Sequence, residues 1–536
     1  MSTPPVKILV GNLYSCIVGE LAPFTQYILT SYLSYNLKDA YFLSLHYKEK
    51  LRRAGKSMKD NDWSGAVSLY WKDNNQSFYT GMLSVVTELL KQNKTEYVIE
   101  DRRPVPPENE PDLTYTAPKD HERRPYQDAT LDLMYRATRG VLQAATGAGK
   151  TAMITRLIGK IKTSPFLFFV NSTDLLEQAY EDLSGSLNTP IGRIGAGEYD
   201  IQKINVVMVQ SAIAAIKYGQ NFDLTDFKYD DDETWEDMEL DGAKAESIKN
   251  LIYSAKGFVF DECHHIASQT AKEVALAAKN AFWRYGCSAT PFREDGAEMM
   301  IQALLGRKLA NISLSYLIRE NYLLRPLIIM IDMGDEDLGK WSSWQEIYKN
   351  YVVKNRHLNE LSAEITNFLV KKGISVLNLV RTYPHGESIK EIYKEKYGDG
   401  DLFFKELFFI RGDQSRKKRK EALNQLRDGA LPAVVATTLA DEGLDVRRLG
   451  AAIVSGGGKS ITRVYQRTGR TLRKFGGQDR AFVFFFHHKA THLDDHAKRI
   501  LHILKQEDEF VIKKVGIKGL FPLLEKAVKI PDIRDL

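Results

Sequence analysis

Two hydrophobic periodicities run along this chain and divide it. Residues 62–81 (DWSGAVSLYWKDNNQSFYTG) alternate apolar and polar side chains on either side of Asp73, Asn74 and Asn75, a pattern that predicts a β-hairpin. Residues 81–93 (GMLSVVTELLKQN) space their apolar positions three and four apart, which predicts a helix. Five prolines between 102 and 118 then forbid regular structure. Residues 1–103 therefore read as a small α+β domain and 104–118 as its linker.

From residue 119 the pattern changes to short apolar runs separated by helical segments. One series of predicted strands lies at 140–144, 166–170, 206–209, 258–260 and 283–287. A second lies at 376–380, 407–410, 433–436, 451–454 and 481–486. Strand–helix alternation predicts parallel sheets, and two series predict two α/β domains in tandem, at 119–325 and 326–490. Residues 496–506 (HAKRILHILKQ) form a basic amphipathic pattern, so 491–536 is expected to be a helical C-terminal extension.

Composition adds limits. The chain has 536 residues, 43% hydrophobic and 27% charged, ordinary values for a folded multidomain chain. Its apolar runs, such as AFVFFF at 481–486, fall far short of the roughly 20 residues of a membrane span. No secretory pattern opens the sequence, and Cys16, Cys263 and Cys287 lack paired or metal-type spacing. A cytoplasmic setting is expected.

Charge is segregated. The net charge is +5, yet residues 223–241 hold ten acids and one lysine, so the remainder stands at +14. The acidic stretch reads as a solvated insertion over 222–248, with mimicry of DNA charge as the sharper alternative. The segment 48–59 (KEKLRRAGKSMK) holds six basic residues and one acid. Lys48, Arg52 and Arg53 are candidate phosphate contacts, and with the nearby aromatics Tyr41, Phe42, Tyr47, Trp63, Tyr70 and Trp71 they read as a nucleic-acid grip of the N-terminal domain, a solvated loop beside an ordinary aromatic core being the alternative.

Three short stretches carry candidate chemistry. AATGAGKT at 144–151 follows a predicted strand and opens a predicted helix, where backbone N–H groups converge on an anion. Gly147 and Gly149 admit phosphate to the backbone, Lys150 reaches it, and the Thr151 hydroxyl suits magnesium. DECH at 261–264 ends a buried strand with two acids: Asp261 for a metal, Glu262 for an attacking water. QRTGRTLR at 466–473 sets Arg467 and Arg470 one helical turn apart, where they can stabilise a transferring phosphoryl group.

Together these stretches resemble motifs I, II and VI of the superfamily 2 helicases and translocases, in which alanine at the position of Ala144 is within the pattern. The resemblance runs from about 121 to 490. It implies two RecA-like domains with ATP and Mg2+ between them. Tyr126-Gln127 resembles the adenine-reading Q motif. Thr146, Gly147, Ala148 and Gly149 would cradle the phosphates, and Ser288 and Thr290 would couple hydrolysis to nucleic acid. Asn171, Gln210, Ser211, Arg381, Thr437 and Thr438 match the strand-gripping motifs. Gly443, Asp445 and Arg473 match nucleotide-binding positions of the second domain. Residues 356–386 and 412–429, with Trp63-Ser64-Gly65, are similar to UvsW-type phage helicases near the XPB and RecG-like branch. That likeness implies an enzyme that uses ATP to regress forks and migrate Holliday-type branches, with branched DNA as partner and recombination or replication proteins nearby. An RNA helicase or duplex translocase of the same superfamily is the alternative.

Overall fold

The computed structural model describes residues 4–36, 66–118, 123–220, 240–289, 298–334, 344–398, 406–411, 414, 416–437, 449–455, 469, 472, 480–489, 491–530 and 532–536. Alternation in Val6–Val10 and Tyr14–Val18 turns Val6, Ile8, Val10 and Ile17 to one side of a five-stranded sheet. Its strand order is Tyr70–Trp71, Ser77–Tyr79, Tyr14–Val18, Val6–Val10, Tyr97–Asp101. The helices Pro23–Tyr32 and Leu83–Gln92 bury Leu29, Val86 and Leu90 in the same core. The hairpin turn lies where the alternation placed it, between Trp71 and Ser77. The helix expected over 81–93 begins with a tight 3-10 turn at Thr80–Met82. Tyr41, Phe42, Tyr47, Lys48, Arg52, Arg53 and Trp63-Ser64-Gly65 lie outside the described residues.

Residues 104–118 hold no helix or strand, as their prolines require, but they are fastened rather than free. The Glu110 amide donates to the Lys162 carbonyl at 3.0 Å, Asn109 accepts from the Ser164 amide at 2.8 Å, and Leu113 is buried. The small sheet and the following α/β sheet share one hydrophobic core. Their backbones nearly touch at Gly81, where a Cβ would sit 2.0 Å from the Gln302 carbonyl oxygen. Only glycine fits there. The stretch read as a linker is thus a strap along a continuous unit, comprising residues 1–144 and 149–311.

That unit's larger sheet has eight strands among the described residues. Their order is Glu198–Asp200, Ile191–Gly195, Ile204–Met208, Phe166–Val170, Gly257–Asp261, Trp283–Ser288, Arg139–Ala144, Lys308–Ile312. Five of these match the first predicted series. The inner strands are apolar along their length because helices cover both faces. Parallel pairing aligns their C-terminal ends, Met208 beside Val170 and Asp261 beside Cys287, and α/β folds place ligands at that edge. The acidic segment ends earlier than 248. Asp241 caps the helix Gly242–Ser254, which buries Ala245 and Ile248, so 241–248 is packed structure; residues 221–239 lie outside the described residues.

The second unit comprises residues 145–148 and 312–536. Its sheet has the order Phe408–Ile410, Ala433–Thr437, Val376–Val380, Ala451–Val454, Ala481–His487, Pro326–Asp332, Val511–Gly516, with every pairing parallel. The C-terminal extension is helical at Thr491–Leu504 and Ile517–Lys529. Between them, however, it contributes the edge strand Val511–Gly516, which pattern reading missed. The overall class is α/β with two RecA-like parallel-sheet domains. Among the described residues no helix is long and apolar enough to cross a membrane.

Candidate active site

The strand Arg139–Ala144 feeds the loop 145–149 and then the helix Lys150–Ile161. Gly149 caps that helix at φ +81°, a conformation that costs a side chain energy. A Cβ there would also meet the Gln127 amide at 2.7 Å. Gln127 is itself buried in the helix Pro125–Ala137, so the adenine-reading candidate leans on the phosphate loop. The first backbone N–H groups of a helix, with its dipole, favour an anion at this end.

Two strands away, Gly257–Asp261 ends in the acid pair. The Glu262 amide donates to Asp261 Oδ1 at 3.0 Å, and Glu262 takes the left-handed φ of +45°. This is a strained value for a residue with a Cβ, and the turn leaves the two carboxylates with different partners. Glu262 Oε1 lies 3.0 Å from Lys150 Nζ. Its Oε2 accepts from Ser288 Oγ at 2.9 Å, with His264 Nδ1 3.2 Å from the same hydroxyl. Asp261 Oδ1 accepts from the Cys287 thiol at 3.3 Å. Lys150, Glu262 and Ser288 therefore form one chain of contacts from the phosphate loop to the end of the strand Trp283–Ser288.

Electrostatics separates the pair. Burial works against charge on both acids. For Glu262 the Lys150 ammonium and the His264 ring outweigh it and hold the carboxyl well below its usual range. For Asp261 burial and the neighbouring Glu262 charge push the carboxyl up. Burial also disfavours the Lys150 ammonium, but the two carboxylates outweigh it and hold that group above its ordinary value. Two carboxylates against one ammonium leave an excess negative charge among oxygen donors, which suits a hard divalent cation such as Mg2+. Asp261 and the Thr151 hydroxyl are the residues that would hold it. Among the described residues no group of three or more His, Cys, Asp or Glu could hold a metal by itself.

Of the residues expected to grip a strand, Gln210 Nε2 donates to the Asn171 carbonyl at 2.7 Å, and Ser211 is buried beside it in the helix Val209–Lys217. In the second unit Thr437 ends its strand buried, and the Arg381 guanidinium lies 5.9 Å from the Tyr348 ring centre. Thr290, Thr438, Gly443, Asp445, Arg467, Arg470 and Arg473 lie outside the described residues. Pattern reading missed His264 and Cys287 as partners of the acids. The only signals for them were adjacency in the sequence and the pairing of Asp261 with Cys287.

Residues 119–293 match the family described as type III restriction enzyme, res subunit, and residues 359–475 match the helicase conserved C-terminal domain. Among curated relatives, the DNA 3'-5' translocase XPB2 of Sulfurisphaera tokodaii is 24% identical, over 66% of this chain and 79% of its own. The putative DNA 3'-5' helicase Rad25 of Halobacterium salinarum is 27% identical over 71% of this chain. The putative helicase 22 of a Sulfolobus islandicus filamentous virus is 24% identical over 64%. The chain spans 59% of the viral relative's length and 56% of the Rad25 relative's. Among solved structures, an HsdR subunit fragment from Vibrio vulnificus aligns with a TM-score of 0.50 at 14% identity, over 75% of this chain and 70% of that one. T4 UvsW aligns with a TM-score of 0.42 at 16% identity, over 96% and 99%. The two family matches stand in tandem and, with the XPB2 and Rad25 relatives, support a superfamily 2 helicase of XPB-like type.

Proposed function

We propose that this chain is an ATP-dependent DNA helicase or translocase that remodels branched DNA, regressing forks and migrating Holliday junctions in recombination, repair or replication. The observation that carries the reading is the Lys150–Glu262–Ser288 chain of contacts. A phosphate oxygen competes with Glu262 for the Lys150 ammonium. Glu262, held ionised, then orients the attacking water; Asp261 and Thr151 would hold Mg2+, whose charge would offset that of the phosphates. Arg467 and Arg470 supply further positive charge to the phosphoryl group. Ser288 touches Glu262 directly, so a change at the carboxylate is felt on the strand leading toward Thr290. Asn171, Gln210, Arg381 and Thr437 grip the DNA backbone without reading sequence.

DNA rather than RNA is favoured by the names of the XPB2 and Rad25 relatives, which also favour 3′-to-5′ movement. Local similarity to a DEAD-box RNA helicase of Arabidopsis thaliana, 34% over 110 residues, keeps RNA as the second reading. Steady-state ATP hydrolysis should be measured beside tailed duplex, fork, four-way junction and RNA. Stimulation by DNA, greatest with forks and junctions, is expected; stimulation by RNA alone overturns the reading.

A further inference from the structure

Antiparallel sheets with one face on a core ordinarily turn polar side chains outward. The N-terminal sheet, antiparallel except where Val6–Val10 pairs with Tyr97–Asp101, carries aromatic rings on that face beside the polar Lys7, Ser77 and Glu100. Its register sets Tyr14 opposite Tyr79, Cys16 opposite Ser77 and Trp71 opposite Ser77. These residues share the face turned away from Ile8, Ile17 and Phe78, the core side. The outer face thus carries three aromatic rings in mutual contact. Tyr14 lies 5.8 Å from Trp71 and 5.1 Å from Tyr79, and Trp71 lies 5.1 Å from Tyr79. Tyr79 is buried beneath, while Tyr14 keeps 46% of its surface exposed. Beside the rings a groove of about 640 Å³ is lined by Tyr14, Trp71, Asn74, Asn75, Ser77 and Arg102, among others. Arg102 and Lys7 both contact Glu100, at 2.6 and 3.1 Å, so this edge is positive by one charge.

We propose that this face binds an unpaired nucleobase of single-stranded DNA, a site additional to the strand-gripping motifs. The base stacks on Tyr14 and Trp71, the Asn74 and Asn75 amides meet its edge, and Arg102 faces the backbone phosphate. Every base has a π-face, so exposed rings on a rigid sheet hold a strand without selecting its sequence. The sheet shares its core with the unit that carries Lys150 and Glu262, so a base held here is anchored to the catalytic body. The proposal rests on the DNA-helicase reading above.

The test uses the full chain and a short thymidine oligonucleotide carrying one fluorescent adenine analogue, whose emission is quenched on stacking. Tyr14→Ala is expected to weaken binding about tenfold and abolish quenching, whereas Tyr14→Phe keeps both. ATP hydrolysis without DNA stays unchanged in each. Undiminished affinity and quenching in Tyr14→Ala overturn the proposal. Should Tyr14→Ala lower the melting temperature, the exposed Arg102→Gln variant is expected to lose affinity at low salt severalfold while still quenching, and unchanged affinity overturns the proposal. Binding at equilibrium needs no turnover, so the two readings fail separately. Quenching without any DNA-stimulated hydrolysis sinks the helicase reading alone. Fork-stimulated hydrolysis with an indifferent Tyr14→Ala sinks the base site alone.

Discussion

Arg284 is a buried and Lys150 a half-buried cation of the first unit, and they are satisfied in opposite ways. Arg284 is fully buried in the strand Trp283–Ser288, and its guanidinium donates to the carbonyls of Leu304, Ala278 and Ala275 at 3.0, 2.9 and 2.9 Å. The helices Gln269–Ala277 and Glu298–Leu305 end there, so one side chain answers carbonyls that helix termini leave without donors. It also lies 4.6 Å from the centre of the Phe258 ring. Burial pulls its pKa down to about 9, which leaves it charged at neutral pH. Lys150 instead faces an ionised carboxylate, Glu262, that also holds Ser288. Fixed carbonyls are architecture. An ionised partner can be exchanged for a phosphate, and the difference separates a structural cation on a strand from a chemical one at the start of a helix.

Lys150→Ala tests the chemical side and carries the largest effect. Turnover of ATP should fall by about a thousandfold or more, equivalent to roughly 4 kcal/mol of barrier. Stability should change by less than about 2 kcal/mol, because the pair is only half-buried and Glu262 keeps Ser288 and His264. Hydrolysis kinetics and urea titration of the same preparation read both quantities. A variant that unfolds while losing activity would erase the contrast with Arg284.

Arg284→Met should show the reverse. Three buried carbonyls lose their donors at about 1–3 kcal/mol each, partly recovered by relaxation, so a net loss of roughly 3–4 kcal/mol is expected. Arg284→Lys should recover part of it with one or two donors. Below its melting temperature the methionine variant should hydrolyse ATP at close to the normal rate, since Glu262 and Ser288 sit at the other end of the strands. A collapse of turnover in the folded variant would show that the two ends are coupled.

Much of the Lys150 side of this contrast was legible in the sequence, and little of the Arg284 side. Ala144 to Thr151 and Asp261 to His264 keep their chemistry in contiguous residues that follow apolar strands. Nothing in WRYGCS signals that its arginine is buried, because burial comes from two helix ends remote in the chain. The Cys287–Asp261 contact and the aromatic face of Tyr14, Trp71 and Tyr79 depend on strand register, which alternation within one strand does not set. Val511–Gly516 escaped notice because it is an edge strand with Lys513 and Lys514 at its centre. Arg467 and Arg470 remain expectations drawn from spacing.

A buried histidine in the second unit adds a third case, a titratable group kept neutral. His385, in the helix Tyr383–Tyr397, is fully buried, with Nε2 3.0 Å from Asn359 Oδ1 and Nδ1 3.5 Å from the Tyr348 hydroxyl. Burial lowers its pKa from 6.5 to about 4. The folded value lies below the unfolded one, so the neutral ring's contribution is fully present above about pH 6.5 and is lost as pH falls toward 4. The full loss is about 3 kcal/mol. His385→Gln, which can keep a hydrogen bond to Asn359 and has no proton to gain, should cost roughly 1–2 kcal/mol at neutral pH through imperfect packing. Near pH 4.5 that deficit should shrink or reverse, because only the parent chain suffers the protonation cost. A deficit that stays constant across this range in urea titrations would mean that His385 is charged inside the fold, or that its surroundings open to water before it titrates.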